Sequence, residues 1–280
     1  ERLIDASVRS VLNKQVPFKN RLQRPDNRYT DPIFSLVGPW ATDYYHWLTD
    51  YLIQVFAIET YREQTGNDPL VLIPSDPPAW MRESLSLAGI ESDQIIEWME
   101  SRAECSHLVI GSLRRHTAST GDGYIHSPAA MTRLGKRLRS AAGEDNHDTN
   151  NEDPTRLYVS RADATDRRVR NEDALMAMLD KYGFERIIPS EHTFAEQVRR
   201  FADAEMIIGP HGAGLTNMIF AEETTLVELF GSYRNACFFA LARGMDHEYA
   251  CVTCDPVGSD LSVDVDRVES LMQDLVAPEP

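Results

Sequence analysis

Lysine is nearly missing from this chain: Lys14, Lys19, Lys136 and Lys181 are the only four among 280 residues, against 24 arginines. Basic residues number 28 and acidic ones 44, a net charge of -16. That balance argues against a nucleic-acid partner, which needs a basic footprint, and against binding to an anionic membrane face. An acidic, lysine-poor surface suits a salt-rich cytoplasm, where screening blunts self-repulsion, so a halophilic, cytoplasmic protein is expected. Cysteine is scarce too: four residues are too few for a disulfide scaffold at this length. The lone C-x-x-C, Cys251 to Cys254, has no second pair and no adjacent His, which favours a strand over a zinc site. No apolar run approaches the roughly 20 residues that span a bilayer, and no secretory signal opens the chain. The chain begins on Glu1 rather than Met, which leaves room for an anchor or domain ahead of it.

What is present is enough hydrophobic residue, 42%, for one large core or two smaller ones. Residues 1–30 have no firm periodicity. From Ile33 to Val37 the chain reads as a strand, ended by Gly38-Pro39. Asp43 or Thr42 can cap a helix running to about Gln64, with Leu48, Tyr51, Leu52, Val55, Phe56 and Ile58 as its apolar face. Strands follow at 70–73, 95–98 and 107–110, with helices at 80–88 and 128–142. The stretch Gly143–Pro154 (GEDNHDTNNEDP) holds no large apolar residue and reads as an exposed linker. Beyond it, strands (157–159, 184–188, 206–208, 226–230, 249–252) alternate with helices (171–182, 194–204, 215–220, 237–242, 263–276). That alternation predicts parallel sheets with right-handed crossovers. The expected architecture is two α/β domains, residues 1–150 and 151–280, facing a central cleft. It stays open that the last helix packs back on the first domain. Ligands of such sheets sit beyond the carboxyl ends of the strands.

Four stretches fall at such ends. The run Gly209-Pro210-His211-Gly212-Ala213-Gly214-Leu215-Thr216-Asn217 reads as strand, tight turn and helix. The first N–H groups of a helix lack internal partners and its dipole is positive there. A phosphate is the natural guest, with His211 adding a donor or charge; alternatively the glycines only close the turn. Ser160-Arg161, followed by Asp166-Arg167-Arg168-Val169-Arg170-Asn171-Glu172, offers guanidiniums that can grip phosphate oxygens in pairs, or a solvated loop with Asn171 as a helix cap. Glu228, inside the apolar run Leu226–Phe230, needs a partner: ribose hydroxyls or a structural arginine. His46 and Asp50, four apart, share a helix face among Tyr44, Tyr45 and Trp47. Either could be a general base, or the pair could merely fix the helix.

Three segments resemble glycosyltransferase family 61, a group that includes proteins described as capsular polysaccharide biosynthesis proteins. They are Tyr44–Asp50, then Tyr158–Arg161 with Arg167–Glu172, and Gly209–Asn217 with Val227–Leu229. The resemblance covers about residues 40 to 230. It implies a GT-B-like fold of two Rossmann-like domains, with acceptor on the first, nucleotide-sugar donor on the second, and inversion at the anomeric carbon. On it, His46 and Asp50 are the catalytic candidates, and Trp40, Tyr44 and Trp47 stack on the acceptor sugar. Arg161, Arg167, Asn171, His211, Gly212, Ala213, Gly214, Leu215, Thr216, Asn217 and Glu228 form the donor site. No cofactor is expected; the nucleotide sugar, linked to uridine or guanosine diphosphate, is a substrate. The acceptor is a glycan, lipid-linked or protein-linked, which allows membrane association through it at the inner membrane face. No Asp-x-Asp ends an early strand, so no metal ligands are assigned. A non-catalytic nucleotide-sugar sensor and a polysaccharide pyruvyl transferase are the alternatives.

Overall fold

The computed structural model describes residues 25–99, 103–111, 115–117, 124–143 and 155–276. Residues 1–24 and most of the expected linker, 144–154, lie outside the described residues. The chain divides into two compact units, Glu1–Arg115 and His116–Pro280, each a mixed α/β body with a parallel sheet. No helix among the described residues is long and apolar enough to cross a membrane.

The first unit is built on strands β1 (Ile33–Ser35), β2 (Leu70–Pro74), β3 (Ile95–Trp98) and β4 (Leu108–Val109), in the spatial order β3-β2-β1-β4. All three pairings are parallel. The chain therefore runs one way from β1 to β3 and returns to β4 on the other side of β1. That reversal marks the carboxyl end of β1 as the place where a crevice opens in such sheets. The long helix expected after β1 is present but not uniform. Asp43 caps it, accepting from the His46 N–H. Tyr44–His46 is α-helical, Trp47–Tyr51 is a π turn and Leu52–Gln54 a tight turn. Regular helix α1 (Val55–Thr65) follows and stops at left-handed Gly66. Trp47, Leu48, Leu52, Ile53, Val55, Phe56 and Ile58 are buried, so the apolar face is wider than the sequence pattern gave. Helix α2 (Ala79–Leu87) packs beside the run through Trp80, whose ring meets Tyr44 and Trp47 edge-on.

The second unit holds β5 (Thr155–Val159), β6 (Phe184–Ile187), β7 (Ala204–Pro210), β8 (Thr225–Phe230) and β9 (Glu248–Thr253), in the order β6-β5-β7-β8-β9. Every pairing is parallel. Alternation sorts the side chains. Tyr158, Ile208, Val227 and Leu229 face helices α4 (Glu172–Leu179) and α7 (Val265–Val276) in one core, which includes Leu175, Val268 and Met272. The final helix thus contributes Val268 and Met272 to the core of the second unit. Helices α3 (Pro128–Ala142), α5 (Phe194–Ala202) and α6 (Cys237–Gly244) and the segment Ala213–Phe220 complete the unit.

Helix α3 lies on the amino-terminal side of the expected linker yet belongs to the second unit. Its sequence explains why. Arg139 donates to the Phe220 carbonyl at 3.0 Å and pairs with Glu222 at 2.8 Å. Arg199 on α5 donates to the Ala142 carbonyl at 2.9 Å. Gly135 lets the helix approach so closely that a Cβ there would sit 2.0 Å from the Ile219 carbonyl oxygen. Gly135→Ala should therefore cost about 1–3 kcal/mol of stability through overpacking, against the roughly 1 kcal/mol that alanine gains in helix propensity. A denaturation midpoint that is unchanged or raised would refute this docking.

Candidate active site

In the second unit the chain leaves β5 for β6 on one side and returns as β7 on the other. The carboxyl ends of β5 and β7 are thus the topological switch point, where α/β sheets hold their ligands. Arg161 follows β5, His211 and Gly212 follow β7, and Tyr233 follows β8. Gly212 has extended backbone that any residue could adopt, φ 178 and ψ 161. It is glycine because a Cβ would lie 2.2 Å from Arg161 Nη1. The guanidinium therefore rests on the turn. Arg161 donates to the Asp166 carbonyl at 3.2 Å and to its carboxylate at 2.9 Å. Arg167 approaches the same carboxylate, Nε to Oδ2 at 3.5 Å. Its guanidinium lies 5.4 Å from the Tyr233 ring centroid, and that ring is 5.1 Å from His211. Two arginines and a histidine thus ring one glycine turn. Burial pushes the Arg161 guanidinium below its ordinary range, and the nearby Arg167 pushes it the same way, against Asp166. A buried positive charge with a like charge beside it is stabilised by an anion.

His211 is held from behind. Its Nδ1 bonds to the Glu228 carboxylate, which has no exposed surface and also accepts from Tyr249 Oη at 2.6 Å. Phe230 and Phe238 pack on the imidazole. With Nδ1 committed, Nε2 is the nitrogen left to meet a ligand. Glu228 thus finds its partners within the protein, in His211 and Tyr249. Tyr249 escaped the sequence reading because its meeting with Glu228 depends on the register between β8 and β9. Burial, then the carboxylate beside it, pushes its hydroxyl pKa up.

Several expected donor residues are buried or hydrogen-bonded to other elements. Asn217 is buried and donates to Gln197 at 3.0 Å. Thr216 and Leu215 are fully buried. Asn171 bonds to the Val263 carbonyl at 2.8 Å and accepts its N–H at 2.9 Å. The eight-residue segment Ala213–Phe220 is a 3-10 helix, wound at three residues per turn, rather than the expected α-helix, and it is packed against α3 and α5. The Leu215 N–H is already given to the Gly212 carbonyl at 3.0 Å. That narrows the backbone cradle to Gly212, Ala213 and Gly214, and side-chain charge must carry more of the attraction. Gly214 is also a packing glycine, since a Cβ would meet Val159 at 3.0 Å and Pro189 at 3.2 Å. Cys251, within β9, is exposed and Cys254, one residue past its end, is buried.

In the first unit, His46 Nδ1 lies 2.9 Å from Asp50 Oδ2, and the pair forms across the π turn. Asp50 is nearly buried, with 8% of its side chain exposed against 20% for His46. The imidazole is therefore the more accessible member, and Asp50 orients it. Trp40 stacks on His46 with centroids 5.2 Å apart and is itself 67% exposed. Its backbone is left-handed, φ 60, a strained state for a bulky residue. The loop before it is fixed by Tyr51, whose hydroxyl donates to the Pro39 carbonyl at 2.6 Å. Trp47, by contrast, is fully buried with its indole N–H given to Ser84 at 2.8 Å, so it cannot stack on a sugar. Tyr44 is half-buried against Trp80.

A methyl group at Gly212 tests the anion site without disturbing the core, because what it strikes is the end of a flexible side chain. Gly212→Ala should leave the melting temperature near native and weaken pyrophosphate or nucleoside diphosphate binding about tenfold or more, the scale of one charge-assisted hydrogen bond. Native affinity by calorimetry would dissociate Arg161 from the ligand.

Comparison with known proteins bears on both units. Over 213 residues the chain is 27% identical to an alpha-1,3-arabinosyltransferase of rice (Oryza sativa subsp. japonica), covering 70% of this chain and 35% of the relative. Over 81 residues it is 36% identical to an EGF domain-specific O-linked N-acetylglucosamine transferase of Drosophila melanogaster, covering 28% of this chain and 16% of the relative. The matches thus span about a third or less of these curated relatives. The family model described as Glycosyltransferase 61 matches residues 44–227, a stretch that begins beside His46 and ends beside Glu228. The chain belongs to glycosyltransferase family 61.

Proposed function

We propose that this chain transfers a sugar from a nucleotide-sugar donor to a hydroxyl of a glycan or glycoconjugate acceptor, with inversion at the anomeric carbon. The observation that carries this reading is the ring of Arg161, Arg167 and His211 around the Gly212 turn at the β5–β7 switch point. A nucleoside diphosphate brings the two phosphates that such a cluster attracts. The division of labour is GT-B-like, with the donor on the second unit and the acceptor on the first.

In this mechanism His46 Nε2 takes the proton of the acceptor hydroxyl while Asp50 holds Nδ1–H. The acceptor oxygen attacks the anomeric carbon as the bond from that carbon to the phosphate oxygen breaks. The negative charge that develops on the leaving nucleoside diphosphate is met by Arg161, Arg167, His211 Nε2 and the N–H groups of the Gly212 turn. Pre-aimed donors of this kind stabilise the transition state more than the ground state, because the charge grows as the bond breaks. The exposed face of Trp40, beside His46, is apolar enough to carry a sugar ring. The relatives' printed names, an arabinosyltransferase and an N-acetylglucosamine transferase, support pentose or hexosamine donors as first candidates, presented as uridine or guanosine diphosphate sugars.

A panel of such donors, read by release of nucleoside diphosphate, tests the activity; binding without turnover in the presence of glycan acceptors would favour a sensor instead. General-base catalysis contributes on the order of 10²–10⁴ in rate. His46→Ala should lose about that much, Asp50→Asn should lose part of it, and the pair should be little worse than His46→Ala because the two act as a unit. Donor affinity should survive in all three. Near-native turnover in all three variants would move the base elsewhere. Because charge on the leaving group is met by arginine and histidine, turnover should persist in EDTA. Complete loss on chelation, restored by manganese or magnesium, would overturn metal independence.

A further inference from the structure

Of the arginines after β5, those at 168 and 170 do not join the ring around Gly212. They turn to Asp260, in an antiparallel ribbon (Asp255–Val257 with Asp260–Ser262) that sits outside the main sheet. Asp260 is 4% exposed. Its carboxylate accepts from the Arg168 N–H at 3.0 Å and from its guanidinium at 3.3 and 3.0 Å, with Arg170 at 3.6 Å. The backbones are joined as well. The Arg167 N–H donates to the Ser259 carbonyl at 2.9 Å, Leu261 N–H to Arg168 at 3.0 Å, and Arg170 N–H to Leu261 at 2.9 Å. Asn171 closes the series on Val263.

Arg167 lies at the end of this series with left-handed backbone, φ 56. An L-residue other than Gly, Asn or Asp holds that conformation only where its surroundings impose it. Here the Ser259 carbonyl takes its N–H while Asp260 takes the N–H of the next residue. The strained backbone sends the guanidinium back to Asp166 and Tyr233, toward His211 and the Gly212 turn.

We propose that the ribbon is a clamp on the donor site, and that Asp260 is a positioning residue that fixes Arg167 toward the donor diphosphate. The proposal rests on the reading of Arg167 as a diphosphate contact. Asp260 itself does not touch the donor; its effect on binding passes through Arg167. Loss of the clamp therefore raises KM for the donor and lowers kcat as well, because Arg167 also meets the charge that grows on the leaving group.

The experiment is a double-mutant cycle on the full chain, with UDP and GDP as calorimetric probes and donor KM and kcat measured beside them. Arg167→Ala should weaken binding of the preferred nucleoside diphosphate about ten- to hundredfold. Asp260→Asn should weaken it at least severalfold and lower kcat by no more than Arg167→Ala does. The double variant should bind no worse than Arg167→Ala, because residues that act through one contact are not additive. Arg168→Ala, at a half-exposed residue, repeats the test should Asp260→Asn fail to fold. Native affinity in both Asp260→Asn and Arg168→Ala, or losses that multiply in the double variant, would overturn the clamp. Native affinity in Arg167→Ala would instead overturn the donor-site reading on which it stands.

Discussion

A carboxylate with no exposed surface has to be paired, and in this protein the pairing of Glu228 fixes the centre of the second unit. Removing one carboxylate from water costs several kcal/mol unless hydrogen bonds replace the lost hydration. Glu228 meets that cost with His211 on the turn after β7 and Tyr249 on β9. His211 lies just past β7 and Tyr249 within β9, the two strands that flank β8, so the pairing ties three adjacent strands together. The consequence is chemical as well as structural. An imidazole held at Nδ1 by a carboxylate presents Nε2 in one orientation, and that nitrogen is the part of His211 that a ligand can use.

Positive charge is then divided by geometry. The segment after β5 carries arginines at 161, 167, 168 and 170, and sequence proximity alone would treat them as one patch. Two of them meet Asp166 beside the Gly212 turn, whereas the other two meet Asp260. Burial and like charge push the Arg161 guanidinium down, whereas hydrogen bonds from Arg168 hold the Asp260 carboxyl below the usual carboxylate range. Each pair shares one carboxylate, but Arg161 and Arg167 are the less exposed, with 16% and 28% of their side chains open against 39% and 56%, so the first pair gains more from an anion.

The first unit applies the same principle at smaller scale. A π turn sits where His46 and Asp50 are placed, and such turns commonly mark functional positions in helices. Here it buries most of Asp50, leaves the imidazole more open, and lets Tyr51 reach the Pro39 carbonyl. The aromatic cluster that surrounds the pair separates into residues that build and a residue that is open. Trp47 is sealed in the core on Ser84, and Trp40 is turned outward by a left-handed backbone.

The strand and helix alternation, the parallel sheets and the pairing of His46 with Asp50 could be read from the chain, because each depends on local periodicity or on spacing within one helix. The Gly-rich turn and Arg161 could be placed at strand ends for the same reason. Which side chains face the ligand could not be read, because that depends on contacts between residues far apart in sequence. Asn217 is spent on Gln197, Asn171 on Val263 and Trp47 on Ser84, and each partner comes from another element. Tyr233 was not singled out from the sequence, its place after a strand end being the one signal that could have marked it, whereas Asp260 lies in a ribbon with no periodicity to mark it. The membership of α3 was likewise settled by a glycine, Gly135, whose missing Cβ matters only when a particular carbonyl is beside it. Local order was written in the chain; the choice between a buried polar group that holds the fold and an open one that meets a ligand came from tertiary packing, because desolvation is decided by what covers a side chain.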